Sequence, residues 1–130
     1  MSRIPLAAAF AVAATLAAPT AFAGARDYAL DLVETTRPVG AGAILTVRLT
    51  DLRTRTPVAD AVIFATRMDM APDGMQTMTA PVTALPTEAP GLYRFATDLT
   101  MAGNWRFSVA AKLQGEAETI KAELTLQAQP

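Results

Sequence analysis

The sequence predicts an all-β domain folded as a two-sheet antiparallel sandwich behind a separate N-terminal segment. Three observations predict it. Apolar residues recur at every second position in seven short runs. Proline, glycine, asparagine and aspartate gather between those runs. Beyond residue 23, no stretch carries an apolar stripe at helical spacing that would exceed a single turn. Period two is the signature of a half-buried strand, and turn residues supply the fixed or positive φ needed where a chain reverses.

The runs follow in order. Tyr28, Leu30 and Leu32 alternate with Asp31, and Leu45, Val47 and Leu49 alternate with Thr46, Arg48 and Thr50. Pro38, Gly40 and Gly42 are expected to separate these two runs. In the third run, Val62 and Phe64 are expected to face inward, with Ile63 on the opposite side. A short fourth run covers Val82 to Leu85. Tyr93, Phe95 and Thr97 mark the inner face of the fifth. Trp105, Phe107, Val109, Ala111 and Leu113 mark the sixth, where Trp105 is expected to anchor the core. Ile120, Ala122, Leu124 and Leu126 mark the seventh. Pro72-Asp73-Gly74, Pro90-Gly91, Ala102-Gly103-Asn104 and Gln114-Gly115 are the reversals. Clean alternation leaves one face dry and one wet, which suits antiparallel sheets packed face to face. Seven short strands in about 100 residues is the count of a seven-stranded antiparallel immunoglobulin-like β-sandwich.

Residues 1–23 read as a cleaved signal peptide and residues 24–130 as the domain. Arg3 makes a positive start, Ile4 to Ala18 is apolar, and Ala21-Phe22-Ala23 is a small-x-small cleavage pattern; together they predict export and a mature chain beginning at Gly24. The apolar run is shorter than the ~20 residues of a membrane span, so no stable membrane insertion is expected after cleavage. No cysteine follows that could carry a lipid. A chain of 130 residues has room for one domain and no second.

Charge and composition exclude several function classes. Beyond residue 23 there are ten basic and twelve acidic residues, a net charge of −2. That balance carries no electrostatic footprint for nucleic acid. The chain has no His and no Cys, which removes the usual zinc ligands, thiol redox chemistry and the Ser-His-Asp and Cys-His nucleophile arrangements. Its stability must come from the core without disulfides. Glu88, Glu116, Glu118 and Glu123 fall in turns or at outward positions, where solvated charge is the expected state, and no serine or threonine has a base to activate it. No catalytic residue is assigned, and the chain is not expected to be an enzyme.

One segment departs from a plain sandwich. Met68, Met70, Met75 and Met78 are four of the six methionines and lie within eleven residues. Met101, in the turn before Trp105, is a fifth candidate if the loops meet at one end. Thioether sulfur is neutral and polarisable and favours Cu(I) over hard cations. Met75 and Met78, three apart, are expected on one side of a helical turn. Two other readings stand beside the metal site. Met68 and Met70 share the parity of Val62 and Phe64 and would extend the inner face as gap-fillers, or the methionines would form an adaptable partner surface. Asp69 and Asp73 flank the loop, but the Asp-x-Asx-x-Asx-Gly pattern of a calcium loop is absent.

Several segments stand together: Pro38-Val39-Gly40 leading into Leu45 to Asp51, then Pro57-Val58-Ala59-Asp60-Ala61, the methionine segment ending Met78-Thr79-Ala80-Pro81-Val82, Pro90-Gly91-Leu92-Tyr93, and Met101-Ala102-Gly103-Asn104-Trp105. In these residues the chain resembles the YtkA-like and FixH-type periplasmic domains. The resemblance implies an immunoglobulin-like sandwich and a periplasmic place in copper or other heavy-metal handling, beside efflux adaptors or oxidase-assembly proteins. It does not imply catalysis. Two departures are visible: the methionine segment lacks the histidine found in many relatives, and the membrane anchor typical of FixH proteins proper is absent. The expectation is therefore a soluble periplasmic accessory protein that binds Cu(I) through Met68, Met70, Met75, Met78 and Met101 and has a heavy-metal efflux or assembly protein as partner. The alternative is a non-metal protein-interaction module accessory to a periplasmic transporter or oxidase-assembly complex.

Overall fold

The structure, a computed structural model, describes residues 25–87 and 89–130. The signal peptide expected over residues 1–23 and the side chain of Glu88 lie outside the described residues. Among the described residues ten strand segments are present: β1 (Tyr28–Leu32), β2 (Thr36–Pro38), β3 (Gly40–Asp51), β4 (Thr56–Pro57), β5 (Val62–Met70), β6 (Met75–Ala80), β7 (Val82–Leu85), β8 (Leu92–Leu99), β9 (Gly103–Lys112) and β10 (Ile120–Gln129). Single 3-10 turns cover Ala25–Asp27 and Ala71–Asp73.

Two sheets pack face to face. One runs β1-β3-β8-β7, with β4 alongside β3; the other runs β2-β10-β9-β5-β6. All seven expected strands are present as β1, β3, β5, β7, β8, β9 and β10, and the fold is the immunoglobulin-like sandwich. The three short additions are β2, β4 and β6. β2 is the exception to antiparallel pairing, because it runs parallel to the end of β10. A three-residue segment carries too little apolar pattern to be seen in a sequence.

The core lies between the sheets. Leu45, Val47, Leu49, Phe95 and Leu99 point into it from one sheet, and Trp105, Phe107, Val109, Ile120 and Leu126 from the other. Phe95 and Phe107 meet across the interface with ring centroids 5.2 Å apart, tilted by 54°. Tilted aromatic pairs of this kind add about 1 kcal/mol beyond the area they bury. At the opposite end from the methionines, Tyr93 Oη donates to the Val58 carbonyl at 2.7 Å and accepts the Ala61 N–H at 3.1 Å. This pins the chain entering β5.

Three expectations are corrected. Pro38 lies between the first two main strands as expected, at the end of the short β2, but Gly40 and Gly42 fall inside β3, which begins at Gly40 with a register shift between Gly40 and Ala43. The inner face of β5 is also reversed at its start. Val62 and Phe64 are 61% and 57% exposed, while Ile63 packs against the core. Ile63 lies opposite Ala111 and Ala65 opposite Ala110, so Phe64 is an extra residue without a partner on β9. That bulge resets the alternation. Ile63 and Met68, five apart, therefore share the inner face with their partners Ala111 and Phe107, which are four apart. Lastly, Met75 and Met78 do not share a side of a helical turn. Both lie in β6, Met75 half-buried and Met78 exposed.

Candidate functional site

The methionine segment occupies one end of the sandwich. Met68 and Met70 are fully buried in the core at the end of β5. Met68 lies opposite Phe107 on one side and Ala80 on the other. Fully burying a methionine side chain is worth about 1.5–3 kcal/mol, so both residues stabilise the fold whatever else they do. Met70 is directly opposite Met75, the first residue of β6. Residues 76–78 are then skipped by the register before Thr79 pairs with Asp69. Met78 falls in this irregular stretch and is 37% exposed.

The link between Met70 and Met75 is tight because the sequence terminates the strand sharply. Pro72 lies in the first turn of the Ala71–Asp73 segment, where its missing N–H is no loss. Gly74 then adopts the left-handed conformation at φ 73° and donates its N–H to the Ala71 carbonyl. That reversal brings the start of β6 back against the end of β5. It agrees with the turn expected from Pro72-Asp73-Gly74.

The two aspartates of the segment are both engaged by protein. Asp69 is fully buried although it lies on the outer side of β5. It accepts the Ala71 N–H at 2.8 Å, Arg67 Nε at 2.8 Å and an Arg106 guanidinium nitrogen at 3.2 Å. Burial pushes its carboxyl up, but these donors outweigh burial and hold it below the usual carboxylate range. Arg67 also donates to the Gln76 carbonyl at 2.8 Å, which fastens the irregular stretch of β6. Asp73 accepts the backbone N–H of Asn104 at 2.8 Å and its side-chain amide at 3.1 Å. The Asn104 bonds hold the Asp73 carboxyl below its ordinary value. Among the described residues, no three carboxylates gather into a group that could hold a metal ion.

Met101 belongs to the same end. It lies in the turn between β8 and β9 and is 38% exposed. Its carbonyl accepts the indole N–H of the buried Trp105 at 3.1 Å. Two residues on, Gly103 stands against the methionine segment: a Cβ there would collide with Asp73 Oδ2 and lie 2.7 Å from Met70 Cε. The structure thus brings Met70, Met75 and Met101 to one end, keeps Met68 a step deeper in the core, and turns Met78 outward. The Asp73–Asn104 and Met70–Gly103 contacts were not expected from the sequence. They join residues about thirty positions apart, and neither Asp73 nor Gly103 carries a signal beyond that of its own turn.

A second surface feature lies at the far end of β5. Val62 and Phe64 border a groove of about 810 Å³ that also includes Lys112, Leu113 and Glu116. Among the described residues no helix is long and apolar enough to cross a membrane.

The structure is similar to the Lin-41 filamin domain, at 16% identity and a TM-score of 0.45, over 75% of this chain and 91% of that one. It is also similar to the ZirS C-terminal domain, at 12% identity and a TM-score of 0.48, over 81% of this chain and 67% of that one. No curated protein matches the chain. The YtkA-like family model matches residues 22–110, more than half of the sequence, and the chain belongs to the YtkA-like family.

Proposed function

We propose that this domain is a soluble periplasmic accessory protein in copper or other heavy-metal handling, with Cu(I) as its cargo, held through thioethers at the methionine-rich end. The observation that supports the reading is that Met70 and Met75 are cross-strand partners and that the tip of Met70 approaches Gly103, at the end of the turn that bears Met101. In a chain without His or Cys, thioethers are the soft donors available, and soft neutral donors select Cu(I). The signal-peptide pattern of residues 1–23 supports export. Kinship with FixH-type domains is part of this proposal and would place the partner among metal-efflux or oxidase-assembly proteins.

The test is a competition titration of the protein, exported to a bacterial periplasm and purified, with Cu(I) against bicinchoninate. Retention of one ion per chain supports the reading, and no retention overturns it. Mass measurement of the exported protein checks cleavage before Gly24.

A second reading, a protein-interaction module without metal, is favoured by the exposed Val62 and Phe64 beside their groove. Large apolar side chains gathered on a surface mark contact sites. Crosslinking from position 112, on the wall of the same groove, in the periplasm tests it: a specific adduct lost on Phe64→Ser supports a partner there, and no adduct argues against it.

A further inference from the structure

We propose that the metal-binding set is Met70, Met75 and Met101, assembled by a bracket in which Asp73 ties the Ala71–Asp73 turn to the start of β9. The inference rests on the copper-handling reading above and names which of the five methionines serve it.

The placement argument has two parts. Met70 and Met75 are direct cross-strand partners, so their side chains leave the same face of the sheet. Met101 arrives from a different turn, and the tip of Met70 reaches that turn at Gly103. A fully buried, a half-buried and an exposed thioether are thereby set in sequence from the core outward. Met101 is the one that an incoming ion meets first. Met68 is separated from this group by its place between Phe107 and Ala80, deeper in the sandwich. Met78 lies in the part of β6 that has no partner on β5 and is exposed there.

The bracket holds the two turns in register. Asp73 accepts two bonds from Asn104, one of them from the backbone, and Trp105 Nε1 holds the Met101 carbonyl from below. Asp73 is thus a positioning residue: it contributes no sulfur but fixes the distance between the turn that bears Met101 and the strands that bear Met70 and Met75. Rigid support of this kind determines whether ligands converge.

The test uses the exported, purified protein with Cu(I) and bicinchoninate, together with X-ray absorption of the loaded protein. Met75→Leu and Met101→Leu each lower the affinity tenfold or more, as does Met70→Leu if it folds; Met78→Leu leaves it unchanged. Leucine is close to methionine in volume, so packing is largely kept. Asp73→Ala weakens binding with little change in the far-ultraviolet spectrum, and Asp73→Asn, whose amide oxygen still accepts the Asn104 N–H, restores it. Absorption shows three sulfur neighbours around copper. If wild type retains Cu(I) but Met78→Leu or Met68→Leu costs as much as Met75→Leu, or if Asp73→Ala binds like wild type, the proposed set and bracket are overturned while copper handling stands. If wild type retains no Cu(I), the copper reading itself fails.

Discussion

Asp73 grips Asn104 twice, with one carboxylate oxygen on the backbone N–H at 2.8 Å and the other on the side-chain amide at 3.1 Å. The contact closes the methionine end of the sandwich by joining the turn between β5 and β6 to the start of β9, where the chain arrives from β8 in the other sheet. It leaves room for nothing larger than glycine beside it.

Gly103 is where that closeness is tested. A methyl group there would run into Asp73 Oδ2 and press on Met70 Cε, and its φ of 142° is one that L side chains rarely adopt. Gly103→Ala is expected to destabilise the fold by about 2 kcal/mol. Urea unfolding followed by Trp105 fluorescence measures it. A midpoint equal to wild type would mean that the two turns separate without cost.

The bulge at Phe64 makes a second expectation that opposes simple alternation. Phe64 is exposed, whereas Phe107, also aromatic and on the neighbouring strand, is fully buried. Phe64→Thr should change stability by no more than about 0.5 kcal/mol, as for most surface positions. Phe107→Ala should cost about 3–5 kcal/mol. Paired denaturation curves decide it, and a large loss from Phe64→Thr would place that ring in the core after all.

These residues also show what the sequence makes legible. Regular strands are readable because burial on one face imposes a period of two: the inner faces of β3, β8, β9 and β10 fall where Leu45, Phe95, Trp105 and Leu126 put them. A bulge is one residue of insertion, and a residue such as Phe64 looks inward by parity until its partner strand is known. Met68 and Met70 share the parity of Val62 and Phe64, which makes the inner face one reading open to them, and the bulge keeps the first pair buried while exposing the second. The methionine cluster is visible as composition, but its grouping is not. That the turn bearing Met101 meets the end of the sheet bearing Met70 and Met75 depends on long-range contacts, Asp73 with Asn104 and Met70 with Gly103.

Asp69 predicts an acid-sensitive end. Its donors, the Ala71 N–H, Arg67 and Arg106, favour the ionised form more than burial opposes it. Its folded pKa is therefore below the unfolded value of about 3.9. Such a group contributes stability above about pH 4, and that contribution is lost as the pH falls from there through the depressed folded value. Asp69→Asn should lower stability at neutral pH by about 2 kcal/mol, since hydrogen bonds to a charged group are lost. It should also flatten the loss of stability below pH 4. Thermal melts of both proteins from pH 7 to pH 3 measure the slope, and equal slopes would show that Asp69 is not the group responsible.

Methionine oxidation reads the same end without any metal. Peroxide converts an accessible thioether to the sulfoxide, so the order of modification follows exposure. Met78 and Met101, at 37% and 38% exposure, should oxidise first and at similar rates, and the half-buried Met75 should follow. Met68 and Met70 have no exposed surface, so their sulfurs are reached only when this end of the sandwich opens. They should react on the order of tenfold or more slowly under native conditions. Peptide mapping by mass spectrometry over a peroxide time course gives each rate. Asp73→Ala should speed oxidation of Met70 more than that of Met68, because Met70 lies directly against the bracketed turn and Met68 lies a step deeper, beside Phe107. Equal acceleration of both would mean that the sandwich opens as a whole and that the Asp73–Asn104 contact does not govern access to this end.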